Sequence, residues 1–209
     1  MVNKSDLRLL ASRLGLSMLI FTLCRLLFFA FNPGAVNVSG FSVMITLMVG
    51  LRIDASAVAM THAPLIILSL IPWIKKEKIM HVLFVLANAL GLLSNLIDVE
   101  YFKFIGKRTT IDVLDLMASG SDFWNLLPRF LLDYWYVPAG CLALVWLLNR
   151  LDKRFMVIRQ QNNPDIKSWK FYIISTILTL SITVLAIRGG IQMRPIGTAS
   201  VAQYVEPEM

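Results

Sequence analysis

The sequence predicts an all-α membrane protein with five transmembrane helices, interfacial helices on the outer side, a cytoplasmic N-terminus and an extracytoplasmic C-terminus. Three observations support this prediction. Of the 209 residues, 57% are hydrophobic and only 16% are charged, whereas a soluble domain has roughly a quarter charged residues. The apolar residues occur in runs long enough to cross a bilayer. The basic residues are distributed unequally among the polar segments between these runs.

We expect residues 1–188 to form a five-helix transmembrane domain and residues 189–209 to form an extracytoplasmic tail. Arg25 lies six residues from the end of the first apolar run, so its side chain is predicted to extend toward the membrane surface. No small-residue cleavage motif follows this run, so we interpret it as a retained helix and not as a signal peptide. The predicted spans are residues 9–31, 55–73, 79–97, 134–151 and 169–187.

One charged stretch interrupts the longest apolar run. A single helix over residues 41–73 would be about 50 Å long, whereas the hydrocarbon layer of a bilayer is only ~30 Å thick. We therefore expect a break at Gly50–Asp54, with residues 41–50 forming a re-entrant or interfacial helix. Pro64 is predicted to kink the span that follows. Residues 109–132 have apolar side chains at helical spacing, which predicts interfacial helices or helices that cover the end of the bundle.

The distribution of charge predicts the orientation. The predicted loops on the N-terminal side have a large basic excess, whereas the opposite side has slightly more acidic than basic residues. Basic loops stay in the cytoplasm, so we expect a multi-pass membrane protein with its N-terminus inside. The net charge of +7 is then explained by topology, and no nucleic-acid partner is expected.

Six polar residues are predicted to gather at the outer face and to bind the headgroup of a membrane phospholipid. Arginine can hold a phosphate through paired hydrogen bonds, and basic residues at a leaflet surface attract anionic headgroups. The alternative is a structural role, in which Arg52 and Asp54 pair with each other, helped by Asn95 or Asp98, and hold helix ends together. The candidate residues are Arg52, Asp54, Asn95, Asp98, Lys107 and Arg108.

The sequence contains no recognisable catalytic or metal-binding motif. The G-x-S-x-G, H-E-x-x-H and P-loop patterns are missing, and no nucleophile has an obvious base beside it. Cys24 and Cys141 lie in apolar runs, so we interpret them as packed residues and not as a redox pair. His62 is interpreted as a buried hydrogen-bonding residue. We therefore assign no catalytic residue, no metal ligand and no cofactor to this chain.

Five short motifs suggest a family. They are GLRID at residues 50–54, NLIDVEYF at 95–102, KRTT at 107–110, DYW at 133–135 and RGGIQMRP at 188–195. In combination they resemble the membrane part of bacterial lipoteichoic-acid-synthase-like proteins, which belong to the sulfatase and alkaline-phosphatase superfamily. The resemblance covers essentially the whole chain, although each motif is short.

The resemblance implies five transmembrane helices ahead of a large extracytoplasmic catalytic domain. That domain carries a threonine nucleophile and a divalent metal. It transfers phosphoglycerol or phosphoethanolamine groups from phospholipids, or hydrolyses sulfate or phosphate esters. The sequence ends at Met209, before the position expected for such a domain, so its nucleophile and metal ligands have no counterpart here. The implied function of this chain is to anchor that domain and to present its lipid substrate.

The alternative is a stand-alone small membrane protein that acts as a transporter or an assembly partner. Transporters commonly have discontinuous helices with polar groups near the bilayer midplane, often in two repeated halves. Polar residues of this sequence are instead expected mainly at one face, and five spans do not divide into equal repeats.

Overall fold

A computed structural model of the chain describes residues 4–32, 40–71, 77–105, 128–129, 131–161 and 169–190. Within these ranges the backbone is helical apart from short turns, and it contains no strand. The helices of eight or more residues are α1 (Lys4–Phe31), α2 (Gly40–Thr61), α3 (Ala63–Leu70), α4 (Glu77–Ile105), α5 (Tyr136–Gln161) and α6 (Trp169–Arg188).

Three helices begin at the same end of the bundle, which we call the N-terminal end. Arg159, near the end of α5, pairs with Asp6 near the start of α1 and with Glu77 at the start of α4. Lys4 lies over the ring of Phe171, 5.7 Å from its centroid, so α6 begins at this end too. Helices α1, α4 and α6 therefore run in one direction, and α5 runs in the opposite direction.

The α2–α3 segment also runs opposite to α1 and α6. Its start lies toward the opposite end, which we call the far end, because Arg25 of α1 pairs with Asp54 of α2. Its finish lies at the N-terminal end, where the hydroxyl of Tyr172 in α6 donates to the carbonyl oxygen of Leu70. If α2 and α3 are taken together, successive passes of the chain through the bundle alternate in direction.

Several of the described helices could cross a membrane, as expected for a multi-pass membrane protein. Three are long and apolar enough to do so individually, namely α1, residues 77–103 of α4, and α6. Residues 47–61 of α2 meet the same criterion together with α3, which gives up to four spans. Helix α5 does not, because charged residues follow closely after Leu148. The predicted fifth span at 134–151 and the orientation stay predictions.

The break in the longest apolar run lies at His62. Helix α2 continues through Gly50–Asp54 without interruption, and α3 then leaves it at an angle of 57°. Pro64 lies in the first turn of α3, where its missing N–H removes no bond within the helix. The predicted kink at Pro64 is confirmed. The predicted break at Gly50–Asp54 is wrong, because the charges there are satisfied by neighbouring helices and do not require the helix to end.

Helices α4 and α5 extend beyond their predicted spans. Helix α4 continues to Ile105 and α5 to Gln161. The basic residues Lys153, Arg154 and Arg159, which follow the predicted span 134–151, are therefore helical. Most of the predicted interfacial segment 109–132 and most of the predicted tail lie outside the described residues.

The core lies where α1, α3, α4 and α5 meet. Phe84 and Leu92 of α4, Leu65 of α3 and Leu148 of α5 are almost fully buried there. Helices α1 and α4 approach closely, since a methyl group placed on Gly91 would overlap the ring of Phe21. Helix α6 lies at the edge of the bundle, packed mainly on α2.

Candidate functional site

Asp54 is bound by Arg25. Arg25 Nε donates to Asp54 Oδ2 at 3.0 Å and Arg25 Nη2 donates to Oδ1 at 2.6 Å, which is a paired contact between two largely buried side chains. A methyl group at Gly50 would lie 2.5 Å from Arg25 Nη1. Gly50 therefore gives the guanidinium room against the backbone of α2. The prediction that Arg25 extends to the membrane surface is wrong, because Asp54 offers it a partner inside the bundle.

Arg52 points instead to the end of α6. Its Nε donates to the carbonyl oxygen of Gly189, and the hydroxyl of Ser56, one turn further along α2, donates to the carbonyl oxygen of Ile187 at 2.8 Å. Carbonyl groups in the last turn of a helix have no partner within it, so α2 supplies partners from outside. In place of the alternative pairing of Arg52 with Asp54, Asp54 pairs with Arg25 of α1 and Arg52 contacts the end of α6.

Helix α6 ends in a Schellman motif. The N–H of Gly189 donates to the carbonyl oxygen of Ala186, and the N–H of Gly190 donates to that of Leu185. Gly189 has φ 72° and Gly190 has φ 130°, backbone conformations that L-residues with a side chain rarely adopt. A methyl group on Gly190 would also lie 2.6 Å from Arg52 Nη2. The chain therefore leaves α6 directly against the Arg52 guanidinium.

The remaining candidate residues divide into two groups. Asn95 donates to the carbonyl oxygen of Gly91 in its own helix at 2.8 Å, and Asp98, one turn further along α4, is buried. Nearby, Asn32 at the end of α1 donates to the carbonyl oxygen of Val99. These contacts lie at the far end. Lys107 and Arg108 lie outside the described residues.

A buried ion pair near the N-terminal end was missed by the sequence analysis. Arg13 donates to both carboxylate oxygens of Asp152, at 2.6 and 2.8 Å, and His81 Nδ1 lies 2.6 Å from Asp152 Oδ2. Asp152 is fully buried. Its contacts with Arg13 and His81 join α5 to α1 and to α4. Because a carboxylate only accepts, Nδ1 of His81 carries a proton. A second cluster, in which Arg159 contacts Asp6 and Glu77, lies closer to the surface at the same end.

His62, between α2 and α3, contacts two other fully buried polar side chains. Its Nδ1 lies 3.0 Å from the carbonyl oxygen of Val58, while its Nε2 lies 3.0 Å from Asn88 Nδ2 and 3.1 Å from Ser17 Oγ. Because a carbonyl only accepts, Nδ1 carries the proton and Nε2 accepts from Asn88. The interpretation of His62 as a buried hydrogen-bonding residue is confirmed.

The interior polar groups form separate layers. The fully buried ring of Phe84 lies between two of them, with its centroid 5.7 Å from Arg13 Cζ and 6.0 Å from the centroid of His62. The described part of the chain contains no group of three or more histidine, cysteine or acidic residues that could hold a metal. The chemistry shown by these layers is the pairing of charges and hydrogen-bonding groups between helices.

The sequence does contain a pattern that could have identified Arg13 as a residue facing the interior of the bundle. On α1, the side chains of Arg13 and Ser17 are one helical turn apart, and both are buried. A polar stripe in a membrane helix usually faces protein and not lipid. The partner on α5 lies 139 residues further along the chain, and no local pattern identifies it.

No protein family matches the sequence, and no curated protein or solved structure matches it either. The fold and the site are therefore described from this chain alone.

Proposed function

We propose that this chain is the membrane module of a lipoteichoic-acid-synthase-like phosphoglycerol or phosphoethanolamine transferase, or of a related sulfatase-type hydrolase. It crosses a bacterial inner membrane five times, anchors an extracytoplasmic catalytic domain and presents the lipid substrate of that domain. The divalent metal and the threonine nucleophile belong to that catalytic domain. Partners of the module are therefore phospholipids and the catalytic domain.

The contact of Arg52 and Ser56 with the end of α6 is the observation that best supports an anchoring role. A catalytic domain that followed the tail would be connected to the bundle through Gly189 and Gly190. Two hydrogen bonds from α2 fix this exit point, while the Arg25–Asp54 pair fixes α2 to α1 within the same turn of α2. The exit point of the tail is therefore held by the interior of the bundle and not by α6 alone.

Arg52 is the described residue best suited to bind a headgroup. Asp54 directs both of its carboxylate oxygens to Arg25, so its role is to join helices. The guanidinium of Arg52 has five N–H donors, and its Nε–H is directed at the carbonyl oxygen of Gly189. Guanidinium groups match the oxygens of a phosphate in a paired geometry. Lys107 and Arg108 are proposed to contribute to the same headgroup site.

The test is lipid binding by the purified full chain, measured by native mass spectrometry with phosphatidylglycerol and phosphatidylethanolamine. We expect Arg52→Gln to weaken binding on the order of tenfold, since charge-assisted hydrogen bonds contribute roughly 1.5–3 kcal/mol. Arg154→Gln is the matched control, because Arg154 is exposed and lies toward the N-terminal end. Equal binding by Arg52→Gln and Arg154→Gln would exclude Arg52 as the headgroup site.

A second candidate function is transport, which the break at His62 favours. The α2–α3 segment is bent and discontinuous at His62, which contacts the side chains of Ser17 and Asn88. Discontinuous helices with polar groups beside them are common in transporter binding sites. The assay is solute and proton flux into liposomes that contain the full chain, with Asn88→Leu as the matched variant. Flux that Asn88→Leu abolishes would support transport. Flux equal to that of protein-free liposomes would exclude it for the solutes tried.

A further inference from the structure

A groove lies between the first turns of α1 and the last turns of α5, at the N-terminal end of the bundle. Its lining combines the apolar side chains of Leu9, Phe155 and Ile158 with polar ones that include Arg8 and Ser12. Arg8 and Ile158 are exposed, so this α1–α5 groove is open to the surroundings of the bundle. A ligand that enters the groove therefore meets an apolar surface beside hydrogen-bond donors.

Arg8 and Ser12 supply the donors of the α1–α5 groove. They are one helical turn apart on α1, so their side chains lie on the same face of the helix. In the described part of the chain neither side chain forms an ion pair or a hydrogen bond. Arg159 also lines the groove, but its guanidinium is engaged by Asp6 and Glu77. A ligand could therefore bind to Arg8 and Ser12 without displacing a described contact.

The described residues at this end carry an excess of positive charge. The acidic side chains described there each contact an arginine of the bundle, and they are Asp6, Glu77 and Asp152. The exposed basic side chains at the same end include Arg8, Lys78, Lys153 and Arg154. Basic residues that cluster beside a membrane span attract anionic phospholipids. The charge of this end therefore favours an anionic ligand.

The depth of the α1–α5 groove matches the headgroup region of a bilayer. The predicted spans begin at residue 9 of α1 and end at residue 151 of α5, so Arg8 and Phe155 both lie just outside them. Phe155 is four residues beyond the end of its span, which is about 6 Å along the helix axis. The headgroup region is roughly 5–8 Å thick on each side of the hydrocarbon layer. The groove therefore lies at the depth of a phospholipid phosphate.

We propose that the α1–α5 groove binds an anionic phospholipid of the adjoining leaflet, with its phosphate at Arg8 and Ser12 and its glycerol region against Phe155 and Ile158. Guanidinium and hydroxyl groups both donate to phosphate oxygens. This site lies at the opposite end of the bundle from Arg52 and does not depend on the proposed function. In the predicted orientation the leaflet that it contacts is the cytoplasmic one.

The experiment is a titration of the purified full chain with single lipids in dodecyl maltoside, followed by native mass spectrometry, which counts bound lipid molecules. Phosphatidylglycerol and phosphatidylcholine with the same acyl chains are compared near physiological ionic strength, where the Debye length is about 8 Å. We expect phosphatidylglycerol to bind more tightly, because no choline cation balances its phosphate. Excess inorganic phosphate should not displace it, because free phosphate makes no contact with the apolar lining. Equal affinity for both lipids, or displacement by inorganic phosphate, would overturn the proposal.

A matched pair of variants tests the role of Arg8. Arg8→Gln should lower the affinity for phosphatidylglycerol about fivefold, the effect expected of one basic residue beside an anionic headgroup. Lys78→Gln is the control, because Lys78 is exposed at the same end and does not line the groove. Its affinity should change much less. Equal losses in the two variants would show attraction to the whole basic surface and would contradict a site at Arg8.

Ser12→Leu tests whether the lipid occupies the groove. The larger side chain takes up space in the groove and keeps every charge, so the affinity for phosphatidylglycerol should fall as it does in Arg8→Gln. Thermal unfolding in the same detergent checks that the bundle is intact. Undiminished binding by intact Ser12→Leu would show that the lipid binds elsewhere.

Arg52→Gln separates this inference from the proposed headgroup site. We expect this variant to keep the lipid molecule whose binding depends on Arg8, because the two arginines lie at opposite ends of the bundle. If binding depends on Arg52 and not on Arg8, the site in the α1–α5 groove is wrong and the proposed headgroup site stands. If binding depends on Arg8 and not on Arg52, the reverse holds.

Discussion

At the scale of single residues, the bundle is held by charged side chains that find partners on distant helices. Arg13 with Asp152, and Arg25 with Asp54, are both paired contacts through two hydrogen bonds. A buried pair of this kind is costly to break from one side, because the remaining charge stays buried without compensation. Removing one member of such a pair should therefore destabilise the fold more than removing both members.

The Arg13–Asp152 pair gives the first prediction. Asp152→Leu and Arg13→Leu should each lower the free energy of unfolding by about 3–5 kcal/mol, whereas the double variant should recover most of the loss. The measurement is thermal unfolding in detergent, followed by tryptophan fluorescence. Losses that simply add in the double variant would show that the two side chains do not depend on each other.

The sequence identified residues that carry charge in the membrane but not their partners. Arg52 and Asp54, two of the candidate residues, lie at the far end. Arg25 is predicted to extend to the membrane surface, and Asp152 lies just outside the predicted span 134–151. The reason is physical: pairing depends on which helices are neighbours, and α1 and α5 are far apart in sequence. His62 was predictable, because a lone histidine in an apolar helix needs hydrogen-bond partners.

At the scale of elements, the packing of the bundle depends on how closely two helices can approach each other. Gly91 of α4 lies against Phe21 of α1 without room for another carbon atom, a contact typical of small residues between membrane helices. Gly140 of α5 has open space in the corresponding position. These two helical glycines therefore have different reasons to be present, which leads to a matched pair of variants.

Gly91→Ala is predicted to destabilise the bundle by about 1–3 kcal/mol, because an extra carbon must displace the Phe21 ring. Gly140→Ala should be neutral or stabilising by up to about 1 kcal/mol, since alanine is the better helix former. Thermal unfolding of the two variants in the same detergent checks this. If Phe21→Leu does not rescue Gly91→Ala in part, the clash is not the cause of the loss.

Helix positions were largely predictable and helix ends were not. Every predicted span overlaps a described helix, because apolar runs of this length have few alternatives to helix in lipid. The charges at Gly50–Asp54 suggest an interruption, whereas the bend lies at His62, immediately before the first turn of α3 that contains Pro64. Helix α5 was cut short because a charged segment suggests a loop when its partners on α1 and α4 are unknown.

At the scale of the whole molecule, the direction of α5 within the bundle supports a fifth membrane span more strongly than its hydropathy does. Helix α5 does not qualify as a span by composition. It nevertheless runs antiparallel to α1 and α4 and joins both through Asp152, and again through Arg159. A five-pass topology therefore requires that pairing with residues of α1 and α4 stabilises the charged residues of α5 within or beside the membrane.

This gives a prediction of topology. Single cysteines at Asp133→Cys and Lys153→Cys replace exposed residues just before and just after the predicted span 134–151, and the native cysteines are buried. In intact cells a water-soluble maleimide should label Asp133→Cys and should label Lys153→Cys only after permeabilisation. Labelling of both positions from outside would show that α5 does not cross the membrane.

The distance in sequence between Arg13 and Asp152 has a consequence for how the protein is made. Asp152 is synthesised 139 residues after Arg13, which at roughly 5–20 residues per second corresponds to a delay of about 7–28 s. During that interval Arg13 has no partner on α5. The Arg13–Asp152 pair can therefore form only after α5 has been synthesised, and it joins an early part of the chain to a late one.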